Sequence, residues 1–189
     1  ILAARSRAGG RIYTLGHLPG HPEMGFNTMG SGYGRGIDAA RRAGVELVET
    51  RGAARAGAPP TLFLDGRHVS REAWASLPAN PFPDEFRTLL PWEIVPRLIS
   101  RHAQLRDWTR WAEPGQAPLD IPLRDFLKPF GLSDAAIRLA YDTAPSYGLS
   151  AWDISALMLQ ANDGFIKGQI AIGPKTYAVR NGNSALIEG

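Results

Sequence analysis

The sequence predicts an α+β chain, and three patterns in its 189 residues predict it. Short apolar runs able to form strands lie near both ends. An Asp-Gly pair splits residues 61–69 into two short runs, which is a hairpin signal, and the middle of the chain repeats apolar residues at helical spacings.

Taken in order, residues 1 to about 50 hold two short strands, a glycine-rich turn, a helix from about Gly34 to Ala43 and a strand around Val45-Glu-Leu-Val48. The first strand is apolar, ends at Ala4, and leads into a basic turn closing on Gly9-Gly10-Arg11. Residues 51–60 read as a linker, because small residues and paired prolines cannot sustain a periodic element. In Thr61-Leu-Phe-Leu-Asp-Gly-Arg-His-Val69, Asp65-Gly66 supplies the positive φ angles that a tight hairpin turn requires. Ser70 is placed to cap a short helix through Trp74 and Leu77, which prolines 78, 81 and 83 then break. Ile94, Val95, Leu98, Ile99, Leu105 and Trp108 form one apolar stripe on a long helix. A second helix starts at Ser133-Asp134 with Ile137, Ala140, Tyr141 and Ala144 on one face. A third runs from about Ala151, with Ile154, Leu157, Met158 and Ala161. These stripes are expected to pack a core.

Composition excludes several classes. There is no cysteine, so disulfides and thiolate metal sites are ruled out. No apolar run approaches the roughly 20 residues that span a bilayer, and the start shows no signal-peptide pattern. The net charge is +3, and all but three of the 21 basic residues are arginine, but they are interleaved with 18 acidic residues. A nucleic-acid surface concentrates its cations on one face, so none is expected here. The compartment is left open.

The chemistry concentrates at the start of the chain. A strand followed by a turn of small residues and arginine is how a backbone approaches a pyrophosphate, with the guanidinium pairing through two parallel hydrogen bonds. This reads as the second half of a dinucleotide-binding unit. The Gly-x-Gly-x-x-Gly turn and the acidic ribose partner of a complete unit are absent.

Residues Ile1 to Leu15 resemble the flavin-dependent amine oxidase family, whose members show Leu-Glu-Ala-Arg-x-Arg-x-Gly-Gly-Arg-x-x-Thr here. Arg5, Arg7, Gly9, Gly10, Arg11, Tyr13 and Thr14 match. Glu23-Met24-Gly25, Gly30 and Ala43-Gly44-Val45 continue the register, and Tyr177 to Leu186 looks like the return from a substrate domain. The resemblance implies a partial FAD-binding domain over 1–50, a substrate-domain-like region over 61–176 and a return toward the FAD domain over 177–189. It implies FAD contacts at Ala4, Arg5, Gly9, Gly10 and Arg11, and a flavin ring passing beside Met24, Gly25, Phe26 and Asn27. The implied reaction moves a hydride equivalent from the carbon next to an amine to FAD, which dioxygen reoxidises, the imine then hydrolysing. The family's catalytic lysine and aromatic pair are expected beyond Gly189, and no catalytic residue is named within the chain.

Two departures bear on this. Ala3 stands where the family has its ribose-binding glutamate, and Asn181-Gly182 replaces a Gly-Gly pair. Thr28 occupies the place of a carboxylate-binding arginine found in L-amino acid oxidases, which favours amines without a carboxylate, although Arg35 lies one helical turn onward. A different reading is a non-catalytic fragment or subunit, a degenerate flavoprotein that packs against a partner. An exposed parallel-strand edge would invite a homodimer or association with the rest of the enzyme.

Other motifs say less. Gly30-Ser-Gly-Tyr-Gly-Arg-Gly36 lacks the lysine of a P-loop and serves equally as a helix entry or a cofactor lining. His17 and His21 flank Leu-Pro-Gly, a loop rather than a helix face, and no metal is expected there. His68 and His102 have no visible partners, and no serine sits in a nucleophile elbow.

Overall fold

A computed structural model describes residues 6–50, 61–143, 146–173 and 175–188. It has a mixed α+β fold in which helices accompany antiparallel sheets. The chain divides into two compact units, Ile1–Pro59 with Gly168–Gly189, and Pro60–Lys167. The expected strand ending at Ala4, the linker 51–60 and the stripe residue Ala144 lie outside the described residues.

The first unit opens with an irregular hairpin. Leu15 N–H donates to Pro22 O, Met24 N–H to Tyr13 O and Phe26 N–H to Arg11 O, at 2.8 to 3.2 Å, and Thr14 bridges Glu23. Strand β1, Met29–Gly30, and helix α1, Gly34–Arg42, follow. The helix closes in a Schellman motif: Gly44, at φ 66°, donates to Arg41 O, and Val45 N–H donates to Ala40 O. That closure uses the amide of Val45. Strand β2 therefore runs Leu47–Thr50, two residues later than the sequence predicts.

These strands pair through a segment from the other end of the chain, Thr176–Val179 (β5 in chain order). It lies between β1 and β2 and is antiparallel to both, with Met29 opposite Tyr177 and Leu47 opposite Val179. Lys175 Nζ reaches Glu49 at 2.9 Å, and Arg180 holds Glu46 through two bonds of 2.5 and 2.6 Å. The parallel edge expected at the start of the chain falls in the undescribed residues. The described strands of this sheet are antiparallel because the return segment re-enters between them.

In the second unit, β3 (Leu62–Leu64) and β4 (Arg67–Val69) form the predicted hairpin, with Asp65 at φ 47° and Gly66 at 77°. Ser70 Oγ accepts from Ala73 N–H and starts α2, Arg71–Ser76. Trp74 is fully buried. Its indole Nε1 donates to Leu89 O at 2.8 Å, and its ring meets the edge of Phe82. The proline-rich stretch that follows is locked by two polar side chains. Asn80 donates to the carbonyls of Trp74 and Arg87 and accepts from Phe82 N–H, while Arg87 donates to Ala75, Leu77 and Asn80.

Helix α3 is Pro91–His102, shorter than the long helix expected through Trp108. It ends because the amides of Gln104 and Leu105 donate to the side chain of Gln160, at 2.7 and 3.1 Å, rather than to helix carbonyls. Leu105 and Trp108 instead join a satellite cluster with Leu157 and Ala161. Helix α4, Leu123–Leu127, precedes α5, Asp134–Ile137, which Ser133 caps as the sequence indicates and which continues as a π-helical turn, Arg138–Asp142.

Helix α6, Ala156–Ile172, begins five residues later than expected. The intervening backbone is engaged elsewhere: Ile154 O accepts from Leu123 N–H, Ala151 O from Arg124 N–H, and Ser155 Oγ supplies the cap. The shifted start turns Leu159 and Gln160 inward and leaves Met158, expected in the core stripe, exposed. Ile94, Ile99, Leu123, Leu127, Ile137, Ile154 and Trp74 belong to one contiguous core. A last short helix, α7, covers Ala185–Glu188 in the first unit.

Glu93 holds the start of α3 together. Its carboxylate accepts from Leu90 N–H at 2.9 Å and takes both arms of Arg71 at 2.9 and 2.5 Å. The Arg71 hydrogen bonds hold the Glu93 carboxyl below its ordinary pKa. A depressed carboxyl stabilises the fold above its unfolded value of about 4.3 and loses that contribution as pH falls through the folded value. Glu93→Gln is therefore expected to lower stability at pH 7 and to flatten the acid limb of a urea-melt pH series. Trp74→Ala, which empties the centre of the core, is expected to cost about 3–5 kcal/mol by urea denaturation.

Candidate functional site

The first unit is closed by a polar knot between the N-terminal hairpin and the return segment. Thr14 Oγ1 shares its proton between the two oxygens of Glu23, each at 3.0 Å, and accepts from Ser184 N–H at 3.0 Å. Thr14 N–H donates to Ser184 Oγ at the same distance, and Asn183 N–H donates to Glu23 Oε1 at 2.7 Å. The Asn183 side chain is buried. It donates to the carbonyls of Phe26 and Asn27 and accepts from Val179 N–H.

Gly182 makes this contact possible: a Cβ there would fall 2.3 Å from the methyl of Thr14. The Asn181-Gly182 pair therefore has a packing role, which its reading as a substituted Gly-Gly does not supply. Asn183 and Ser184 were not singled out by sequence. Their only signal was a turn-like Asn-Gly-Asn-Ser run.

Beside the knot lies a cavity of about 780 Å³, within the first unit throughout. Of the nine residues the resemblance implies as cofactor contacts, it brings together Arg11, Met24, Gly25 and Phe26. Met29, Leu186 and Ile187 add apolar wall, and α1 contributes Gly36 and Ala39. Asn27 does not line it, because its carbonyl is committed to Asn183. Gly9 and Gly10 lie outside it, at φ 96° and 53°, in a turn closed by Ile12 N–H on Gly9 O. Ala4 and Arg5 lie outside the described residues.

Gly25 faces the hairpin partner rather than open space. A Cβ at this position would sit 1.8 Å from Arg11 O, so the glycine is required by the approach of the two strands. Arg7 is likewise consumed internally, donating to Gly10 O and Ile12 O with its guanidinium 4.2 Å from the Tyr13 ring centroid. Arg11 lines the cavity, and its side chain has no ion pair or hydrogen bond among the described residues.

The remaining motifs resolve into packing. In the glycine-rich run, Gly32 N–H donates to Gln169 Oε1 at 2.9 Å and Ser31 Oγ to Gly173 O at 2.8 Å, so the run anchors the end of α6. Thr28 and Arg35 do not line the cavity. Among the described residues, no group of three or more His, Asp or Glu is placed to hold a metal ion, and no helix is long and apolar enough to cross a membrane.

No protein-family model matches this chain, and searches of curated proteins and of solved structures return no match.

Thr14→Val keeps the shape of the knot and deletes its hydroxyl, leaving Ser184 N–H without its acceptor. A loss of about 1–3 kcal/mol is expected. Urea denaturation, with hydrogen exchange at the Ser184 amide rising in parallel, measures it.

Proposed function

We propose that this chain is part of a flavin-dependent amine oxidase whose first unit holds FAD at the cavity beside Met24–Phe26 and whose helical unit belongs to its substrate region. The reading rests on the family-like run from Arg5 to Thr14 and its continuation at Glu23-Met24-Gly25. The single observation that supports it best is the gathering of Arg11, Met24, Gly25 and Phe26 at one cavity.

The residues fit such a group in chemical kind. Apolar walls from Met24, Met29 and Ile187 suit a flat heteroaromatic ring, whose burial is favourable in proportion to the apolar area removed from water. The Arg11 guanidinium, without a partner among the described residues, suits a pyrophosphate, which it can grip through two parallel bonds. The knot of Thr14, Glu23, Asn183 and Ser184 keeps the hairpin rigid, so the cavity wall keeps its shape without a ligand's help. When bound, FAD would supply the chemistry, accepting a hydride equivalent from the carbon beside the amine and passing the electrons to dioxygen. The chain's own contribution is to bind, orient and exclude water. Its substrate would be a primary or secondary amine.

The test is the visible spectrum of the chain titrated with FAD. Binding is expected to shift and structure the flavin bands. Arg11→Ala is expected to weaken the affinity about tenfold or more, the worth of one charge-assisted hydrogen-bond pair, while Arg41→Ala, an exposed arginine of α1 away from the cavity, leaves it unchanged. An unperturbed spectrum at saturating FAD, or equal affinity in the Arg11 and Arg41 variants, would overturn the proposal.

A further inference from the structure

The helical unit contains a second cavity that the proposed flavin chemistry does not use. It measures about 180 Å³ and is formed by α3, the π-helical turn and α6. Its walls are apolar, with Val95, Ile99, Ala140 and Leu159 among them, and Trp92 and Tyr141 supply aromatic surface. At its mouth stand Thr143, Asn162 and Asp163.

Two backbone irregularities converge on it. Pro96 lies inside α3 and lines the cavity; it lacks the N–H that would otherwise bond the carbonyl of Trp92, itself a lining residue. Opposite, Ala140 and Tyr141 come from the π-helical turn Arg138–Asp142, an arrangement that costs helix geometry and occurs often at functional sites. Ordinary helical packing needs neither.

Size and charge define the occupant. An apolar protein cavity of about 150 Å³ stays dry and takes up benzene, so a void of this volume holds a single aromatic ring. Asp163 offers a carboxylate at the mouth, but its charge is already matched by Lys167 Nζ at 2.7 Å. A hydroxyl or ring N–H can share the carboxylate oxygen, whereas a second cation would have to displace the lysine.

We propose that this cavity is a binding site for a neutral single-ring aromatic molecule carrying one hydrogen-bond donor, of the phenol class, with its ring between Trp92 and Ala140 and its donor on Asp163. The site is independent of the flavin reading, because every group it uses lies in the helical unit.

The test is two-dimensional NMR of the full 189-residue chain titrated with phenol, toluene and benzylamine. Phenol is expected to perturb the amides of Val95, Ala140 and Tyr141 and the Trp92 indole. It should bind about tenfold tighter than toluene and tighter than benzylamine. Asp163→Ala removes the acceptor at the mouth together with its ion pair to Lys167; it is expected to bring phenol down to the affinity of toluene while leaving toluene unchanged. Ala140→Leu fills the void and is expected to weaken both by at least tenfold. Thr143→Phe blocks the exposed mouth without touching the core, and decides the question if Ala140→Leu fails to fold. Absence of perturbation at millimolar phenol, unchanged binding in the blocked variant, or tighter binding of benzylamine than of phenol would overturn the proposal.

Discussion

The first unit depends on one buried polar contact: the Thr14 hydroxyl that donates to Glu23 and accepts from Ser184. Its partners lie at opposite ends of the sequence, so the contact closes a very long loop. Closure entropy rises only slowly with length, and a few well-satisfied hydrogen bonds with the packing around them can offset it. The same knot places Asn183 under the carbonyls of Phe26 and Asn27 and thereby sets the wall of the larger cavity. Satisfied networks of this kind specify one arrangement, since any alternative strands a buried polar group. No buried side-chain nitrogen or oxygen lacks a partner among the described residues.

The second unit is held differently. Its centre is apolar, with Trp74, Leu123, Leu127 and Ile137 fully buried, and several of its polar side chains satisfy backbone groups at element ends. Asn80 and Arg87 satisfy the carbonyls freed where prolines stop α2. Gln160 Oε1 accepts from the amides of Gln104 and Leu105 where α3 stops. This division of labour suits a unit rich in short helices. Every helix end leaves unsatisfied amides and carbonyls, and side chains reach them more cheaply than water can inside a packed core.

The two cavities follow from these two modes of construction. The larger is a concavity between a hairpin, a helix and a return segment, lined by Arg11, whose side chain has no partner among the described residues. The smaller is a gap where helical geometry is broken twice, by Pro96 and by the π-helical turn. Neither is a flat surface patch.

Local chemistry alone determined the hairpin at Asp65-Gly66, the caps at Ser70 and Ser133, the helix from Gly34 and the break after Leu77. In each, the deciding energy lies in a turn conformation or a single cap within a few residues. Sequence also marked Arg11, Met24, Gly25 and Phe26, through a family-like run. Only the tertiary structure decided where α3 ends and where α6 begins, because those boundaries are set by Gln160 and by pairing of residues 121–124 with 151–156. It likewise decided that Gly25 serves Arg11, that Gly182 serves Thr14, and that the return strand enters between β1 and β2. The physical reason is common to all three: each answers to a neighbour more than ten residues away, and periodicity carries no information about which distant backbone will arrive beside it.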